Sequence, residues 1–202
     1  MKNYEYIVAG LPQIRQAAAM GEQIDADELI SSVCELLDEN DRAVLDTLLA
    51  GYDSEKLTPG FYMAALKHKN RFVRRFFEFD LNLRNAKVAY LNKALGRPAD
   101  KDIMILEGRE DCEFGQRAEV DAVLYGNDLL KREKGLDDII WNFIDECILM
   151  EVFSLDQVLG QVAKLKIIDR WAKLDPETGA EFFRKLVTEL RATYDNKKNN
   201  MI

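Results

Sequence analysis

The longest amphipathic pattern in the chain runs from Asn70 to Gly96 and predicts a central helix. Apolar residues recur there at helical spacing in two adjacent rows, which together cover more than half of the circumference. We therefore expect this helix to be the most covered element of the fold. Gly96 and Pro98 predict its end, because glycine accepts a left-handed cap and proline cannot continue the hydrogen-bond ladder. The rows are Phe72, Phe76, Phe79, Leu83, Ala86 and Tyr90, and Val73, Phe77, Leu81, Val88, Leu91 and Leu95.

Three charged residues interrupt this apolar arc, namely Asp80, Arg84 and Lys87. Asp80 precedes Arg84 by four residues, which is the spacing and order at which a helical ion pair forms. In one interpretation the two form a covered structural pair, and neither can lose its partner without a large cost in stability. In the other, the arc is partly open and these charges contact another protein.

Helical patterns also fill most of the remaining chain. Helix starts are predicted at Asp25 with Glu28, at Asn40 or Asp41, at Thr58 before Pro59, and at Ser154 with Gln157. The helix after Thr58 either breaks near Asn70 or continues into the central helix. In the C-terminal third, three apolar faces run from Leu136 to Ile148, from Val158 to Ile168 and from Phe182 to Tyr194, the last after a cap at Asp175.

Strand signals are confined to two short segments. Tyr4, Tyr6 and Val8 alternate before a turn at Gly10, and residues 103–106 form an apolar run. The predicted class is therefore mainly α: a multi-helix domain around one long central helix, with at most one or two short strands. At 202 residues the chain is long enough for a full core. We expect one helical domain over residues 1–195 and a frayed C-terminal tail over 196–202.

Composition narrows the classes of partner. The net charge of −8 argues against binding to nucleic acids or to anionic membrane surfaces. No run of 18 apolar residues exists, so no membrane span is expected. The N-terminal apolar run is too short for a secretory signal. The three cysteines are widely separated and odd in number, which favours a reduced, cytoplasmic location.

The sequence offers little for catalysis. His68 is the only histidine, no CxxC pair occurs, and neither a GxxxxGK[ST] loop nor a GxGxxG fingerprint is present. We therefore assign no catalytic, cofactor-binding or metal-binding residues. Two carboxylate clusters remain, and the first fits no calcium loop and is interpreted as a solvated acidic loop, while the second lacks the ExxH motifs of di-iron proteins. They are Glu107, Glu110, Asp111 and Glu113, and Asp137, Asp138, Asp145, Glu146 and Glu151.

A basic cluster stands out in this acidic chain. It consists of Lys67, Lys69, Arg71, Arg74 and Arg75, with His68 among them. Such a cluster is usually a solvated face or a set of ion-pair partners, and a phosphate site is the less favoured alternative. It is also our first candidate for contact with an acidic partner protein.

Three stretches carry a resemblance to a known family: YEYIVAGLP, FFEFDLNLRN and KLKIIDRWAKLDPETGAEFFRKLV. They resemble an uncharacterised bacterial family that is encoded among V/A-type ATPase subunits. The most specific part is the RWxxLDxxxG spacing of Arg170, Trp171, Leu174, Asp175 and Gly179. That family is remotely similar to the central-stalk socket of V-type ATPases, an all-helical protein that seats the central shaft on the membrane rotor ring.

The resemblance implies a non-enzymatic subunit or assembly partner of a proton- or sodium-transporting rotary ATPase. It implies a cytoplasmic protein that reaches the membrane only through the complex, with ATPase subunits as partners and no cofactor. The alternative is a small helical ligand-binding protein or enzyme that uses the carboxylate and basic clusters. A gene position among ATPase subunits would favour the first hypothesis.

Overall fold

The computed structural model describes residues 4–12, 25–109 and 113–173. Helices make up 70% of this part, which contains no strand, so the mainly α prediction is confirmed. One hydrophobic core draws residues from every helix. The helices are α1 (Tyr4–Gly10), α2 (Ala26–Leu36), α3 (Glu39–Ala50), α4 (Pro59–Leu66), α5 (Arg71–Ala94), α6 (Arg117–Leu124), α7 (Leu129–Ile148) and α8 (Leu155–Ala172).

The long helix α5 begins and ends where its local signals place it. The Asn70 side chain accepts a hydrogen bond from the Val73 N–H at 2.9 Å, so α4 and α5 are separate helices. At the other end Gly96 has a φ of 66°, and the N–H of Arg97 donates to the carbonyl of Asn92 over 2.8 Å. This 6→1 bond across a left-handed glycine is a Schellman cap, which satisfies a carbonyl that the helix leaves free.

Helix α8 shares the central position with α5. Nine of the 18 residues of α8 are buried, against ten of the 24 residues of α5. Helix α8 packs against α1, α2, α3, α5 and α7, whereas α5 packs against α3, α4, α6, α7 and α8. The expectation that α5 is the most covered helix is therefore wrong by fraction. The reason is that Asp80, Arg84 and Lys87 keep one part of α5 open to solvent.

Helices α5 and α7 form an antiparallel pair. At the start of α5, Arg71 donates to the Cys147 carbonyl near the end of α7 over 3.3 Å. Near the end of α5, the Tyr90 hydroxyl accepts a hydrogen bond from Arg132, early in α7, at 2.7 Å. Between these points the Phe79 and Phe143 rings stack with their centroids 4.1 Å apart.

The structure corrects two predicted elements at the N-terminal end. Residues 4–10 form a helix and not an extended segment, because Tyr4, Ile7 and Val8 face the core at helical spacing while Tyr6 points to solvent. A pattern this short satisfies both periods, and packing against α8 decides between them. Helix α3 is capped by Asp38, whose side chain accepts from the Asp41 N–H at 2.9 Å. The predicted caps Asn40 and Asp41 thus lie inside the first turn.

The apolar run at residues 103–106 is not a strand. The Asn85 side chain on α5 donates to the Met104 carbonyl at 2.9 Å and accepts from the Met104 N–H at 3.0 Å. One amide therefore satisfies both backbone groups that a neighbouring strand would otherwise pair. Leu106 then anchors the segment in the core.

Some predicted features lie outside the described residues. These are the helix from Phe182 to Tyr194, its cap at Asp175 and the tail 196–202. Within the described ranges, every helix is too short or too polar to cross a bilayer.

Candidate functional site

A groove of about 630 Å³ lies between α5, α7 and α8, with Tyr52 from the end of α3 at its edge. Its floor is apolar and is formed by Phe76, Phe79, Leu83, Ile140 and Ile167. Charged side chains surround that floor. They are Asp80, Arg84 and Lys87 from α5, Asp137 from α7, and Lys166, Asp169, Arg170 and Lys173 from α8 and its C-terminal end.

On the α5 wall, Asp80 accepts two hydrogen bonds. The buried Tyr62 hydroxyl donates to its Oδ2 at 2.6 Å, and the Arg84 Nε donates to the same oxygen at 2.8 Å. Asp80 has 19% of its side chain exposed and Arg84 has 47%. Burial, together with the negative charge of Asp80, raises the pKa of the Tyr62 phenol. The ion pair is thus anchored on one side and open to solvent on the other.

On the opposite wall, Asp137 joins α7 to the end of α8. Its Oδ2 accepts from the Arg170 guanidinium and from the Trp171 indole Nε1, the latter at 2.6 Å. Asp137 is only 6% exposed, and this burial raises the pKa of its carboxyl even though Arg170 and Trp171 stabilise the charged form. Arg170 and Trp171 therefore hold two helices together from within the groove.

The rim of the groove is closed by ion pairs between α8 and α2. The Lys166 Nζ lies 3.2 Å from Asp27 Oδ1, and the Lys173 Nζ lies 3.2 Å from Asp27 Oδ2. These two ammonium groups lower the pKa of Asp27. Lys173 also pairs with Asp169 at 2.8 Å.

Lys87 differs from the other charged residues of the groove. It is partly buried, and it makes no ion pair or hydrogen bond with any residue that the structure describes. Burial lowers the pKa of its ammonium group. The charges of Glu133 and Asp137 on α7 act in the opposite direction, whereas those of Arg170 and Arg84 add to the lowering. Lys87 is the groove's unmatched positive charge.

The five basic residues near the start of α5 do not form one free patch. Arg71 bonds to the Cys147 carbonyl and to Glu151, and Arg74 donates to the carbonyls of His68 and Lys69 at 2.6 and 2.8 Å. The Arg75 guanidinium lies 5.5 Å from the Phe143 ring centre. Lys67 and Lys69 are exposed. The three arginines thus serve contacts within the chain, and the two lysines remain for an acidic partner.

The carboxylates of the second cluster serve similar contacts. Asp145 accepts from Lys164, which also lies 4.9 Å from the Trp141 ring centre, and Glu151 pairs with Arg71 at 3.1 Å. Of the acidic loop, Glu110 and Asp111 fall outside the described residues. In the ranges that are described, no group of three or more His, Cys, Asp or Glu side chains is arranged to hold a metal ion.

Apolar side chains are exposed at both ends of the α5–α7 pair. The first set, which we call the loop patch, follows α7 and consists of Leu149, Met150, Val152 and Phe153. Met150 is 85% exposed, so this loop is not part of the core. The second set, the distal patch, lies near the end of α5 and the start of α7. It consists of Leu91, Leu95, Tyr125, Leu129 and Leu130.

Sequence reasoning found part of this site and missed the rest. It singled out Asp80, Arg84 and Lys87, and it named Arg170 and Trp171 as the start of a motif whose remaining residues, Leu174, Asp175 and Gly179, lie beyond the described part. It did not connect them into one groove, and it gave no role to Lys166, Asp169 or Lys173. The available signal was the alternation of charges at helical spacing along the end of α8. For the loop patch, it was the apolar run continuing past Ile148.

Comparison with known proteins gives one similarity. A family model described as "Protein of unknown function (DUF2764)" matches residues 111–193. The matched stretch contains α6, α7 and α8, and with them Asp137, Arg170 and Trp171. No curated protein and no solved structure matches the chain. Over residues 111–193, which include two of the three helices around the groove, the chain is thus similar to that family.

Proposed function

We propose that this protein is a non-enzymatic subunit or assembly partner of a V/A-type rotary ATPase. In this proposal it is a rigid helical connector that binds other subunits of the complex with its two ends. The sequence resemblance at three separated stretches supports the choice of complex. The observation that carries the connector role is the pair of exposed apolar patches at opposite ends of α5 and α7.

The geometry of α7 suits a spacer. Leu130 and Leu149 lie at its two ends, 19 residues apart, which corresponds to about 29 Å of helix at 1.5 Å per residue. The antiparallel contact with α5 along this length, including the Phe79–Phe143 stack, resists bending between the ends. A force applied to one end is therefore transmitted to the other, which is what a coupling protein requires.

The loop patch has the chemistry of a contact surface. Contiguous exposed apolar groups in a protein that is otherwise highly charged mark interaction sites. Burial of each such side chain contributes about 1.5–3 kcal/mol relative to exposure. Met150 and Phe153 are well suited to this role, because methionine adapts to irregular surfaces and an aromatic ring provides a large contact area.

The non-enzymatic part of the proposal rests on how the reactive groups are used. The Nδ1 of His68 accepts the Asn70 backbone N–H at 3.1 Å, so this imidazole supports the start of α5. Burial raises the pKa of the Cys147 thiol to about 11, which leaves almost no thiolate at neutral pH. Most groove charges are committed to ion pairs.

The test is co-purification with ATPase subunits from cells that encode both. We expect the tagged wild-type chain to retain ATPase subunits, and the double variant Met150→Ser, Phe153→Ser to lose at least one of them. The variant Leu129→Ser, Leu130→Ser should lose a different one, because it alters the other end. Tyr6→Ser serves as the matched control, since Tyr6 is exposed on α1, outside both patches.

Retention of no ATPase subunit by the wild-type chain would overturn the functional proposal. Loss of the same subunit from both double variants would overturn the two-ended connector. The lysine pair is tested in parallel by Lys67→Ala, Lys69→Ala at low and high salt. We expect only a small, salt-dependent loss, because exposed charges are screened over about 8 Å at physiological ionic strength.

A further inference from the structure

We propose that the groove between α5, α7 and α8 is a binding site for a small amphipathic acid. Its ligand carries one carboxylate, which pairs with Lys87, and an apolar body that lies on the aromatic and aliphatic floor. This site goes beyond the connector role, and it does not depend on the loop patch or the distal patch.

The first step of the argument is the balance of charges. Five cations and three carboxylates line the groove. Arg84 pairs with Asp80, Arg170 with Asp137, and Lys173 with Asp169. Lys166 pairs with Asp27 from outside the groove. Lys87 is left as a single unmatched cation.

The second step is the position of Lys87. Its ammonium group is partly withdrawn from water, which disfavours the charged form unless an anion is close. The lowered pKa of Lys87 agrees with this, since the nearby carboxylates of Glu133 and Asp137 do not offset burial and the repulsion from Arg170 and Arg84. A ligand carboxylate at this point would supply the missing negative charge.

The third step is the floor. Phe76, Phe79, Leu83, Ile140 and Ile167 offer apolar contact to a ligand but no hydrogen bond from their side chains. A volume of about 630 Å³ lies within the range of pockets that hold small organic molecules. A bare inorganic anion would leave this surface uncovered, so the floor selects a ligand with an apolar body. The single unmatched cation selects one negative charge.

The experiment uses decanoate as the probe and decanol as its neutral counterpart, with binding to the full chain measured by titration calorimetry at neutral pH. For the wild type we expect decanoate to bind about tenfold more tightly than decanol, because only decanoate forms the ion pair. Lys87→Gln should weaken decanoate binding about tenfold and leave decanol binding unchanged. Lys67→Gln is the matched control, since Lys67 is an exposed lysine that does not line the groove.

Equal affinities for decanoate and decanol would overturn the proposal, as would decanoate binding that is unaffected by Lys87→Gln. Displacement of decanoate by inorganic phosphate at similar concentrations would overturn the role of the floor. Circular dichroism verifies that each variant is folded. In addition, the NMR signal of the Lys87 side chain should shift on addition of decanoate and stay in place on addition of decanol.

Discussion

Asp137 Oδ2 accepts a hydrogen bond from the Trp171 indole Nε1 at 2.6 Å, although the two residues lie 34 positions apart on different helices. The same oxygen accepts from Arg170. One buried carboxylate therefore fixes the end of α8 against α7. Arg170 and Trp171 are the first two residues of the RWxxLDxxxG stretch, so in this fold that part of the motif has a structural role.

We predict that Asp137→Ala lowers the free energy of unfolding by about 1–3 kcal/mol, because it leaves the indole N–H without its acceptor. Glu133→Ala is the matched control. Glu133 also reaches Arg170, at 3.5 Å, but on the surface, where an ion pair contributes about 0–1 kcal/mol. Urea unfolding measures both. Equal losses for the two variants would contradict the assigned role of Asp137.

A second prediction concerns Asp80, which lies between Tyr62 and Arg84. We expect Asp80→Ala to cost about 1.5–3 kcal/mol, chiefly through the buried Tyr62 hydroxyl, which loses a charged acceptor. Arg84→Ala should cost less than about 1 kcal/mol, because Arg84 is 47% exposed and water replaces its partner. A double-mutant cycle of Tyr62→Phe with Asp80→Ala should show coupling. If Arg84→Ala proves as costly as Asp80→Ala, the pair is covered after all.

A third prediction tests the close approach of α3 and α5. A Cβ at Gly51 would lie 2.3 Å from a ring carbon of Phe77, which is fully buried. We expect Gly51→Ala to destabilise the protein by about 1–3 kcal/mol through overpacking. Gly10→Ala is the control, because nothing lies within 4 Å of the added methyl group. A neutral Gly51→Ala in thermal unfolding would show that the two helices adjust at no cost.

A fourth prediction follows from the lowered pKa of Lys87. The folded state binds this proton less tightly than the unfolded state, whose lysine titrates near about 10.4. Below the folded pKa the charged side chain destabilises the fold, and this penalty is relieved as the pH rises towards the unfolded value. We therefore expect Lys87→Met to stabilise the protein at pH 7 by about 0.5–2 kcal/mol, with the advantage shrinking between those two pKa values.

Chemical unfolding at several pH values measures this difference. Lys67→Met is the control and should stay within about 0.5 kcal/mol of the wild type, because it changes an exposed side chain. Destabilisation by Lys87→Met at pH 7 would mean that the ammonium group has a favourable partner in the fold.

How far the sequence predicts the fold depends on how local the deciding interaction is. The helix starts at Asp25, Thr58, Asn70 and Ser154 are set by a side chain that accepts an N–H three residues later. Such a cap is complete within one turn, so the sequence pattern reveals it. Asp38 was missed because several acceptors follow one another there, and local spacing does not choose among them.

The groove was less accessible to sequence reasoning. Its charged residues come from α5, α7 and α8, and their pairing depends on which faces meet. The pair Asp80–Arg84 is visible in the sequence because both residues lie on one helix. The contact of Asp137 with Trp171 spans 34 positions and has no local signature. The same holds for Lys87, whose lack of a partner is a property of three helices together.

The sequence by itself therefore determined the helical class, the extent of α5 and most helix caps, since these follow from periodicity and from contacts within a few residues. Only the tertiary structure decided that residues 4–10 are helical, that Asn85 replaces a neighbouring strand for Met104, and that Lys87 is left unmatched on an apolar floor. These outcomes depend on which segments pack together. That choice minimises exposed apolar surface and unpaired polar groups over the whole chain, and no window of neighbouring residues contains it.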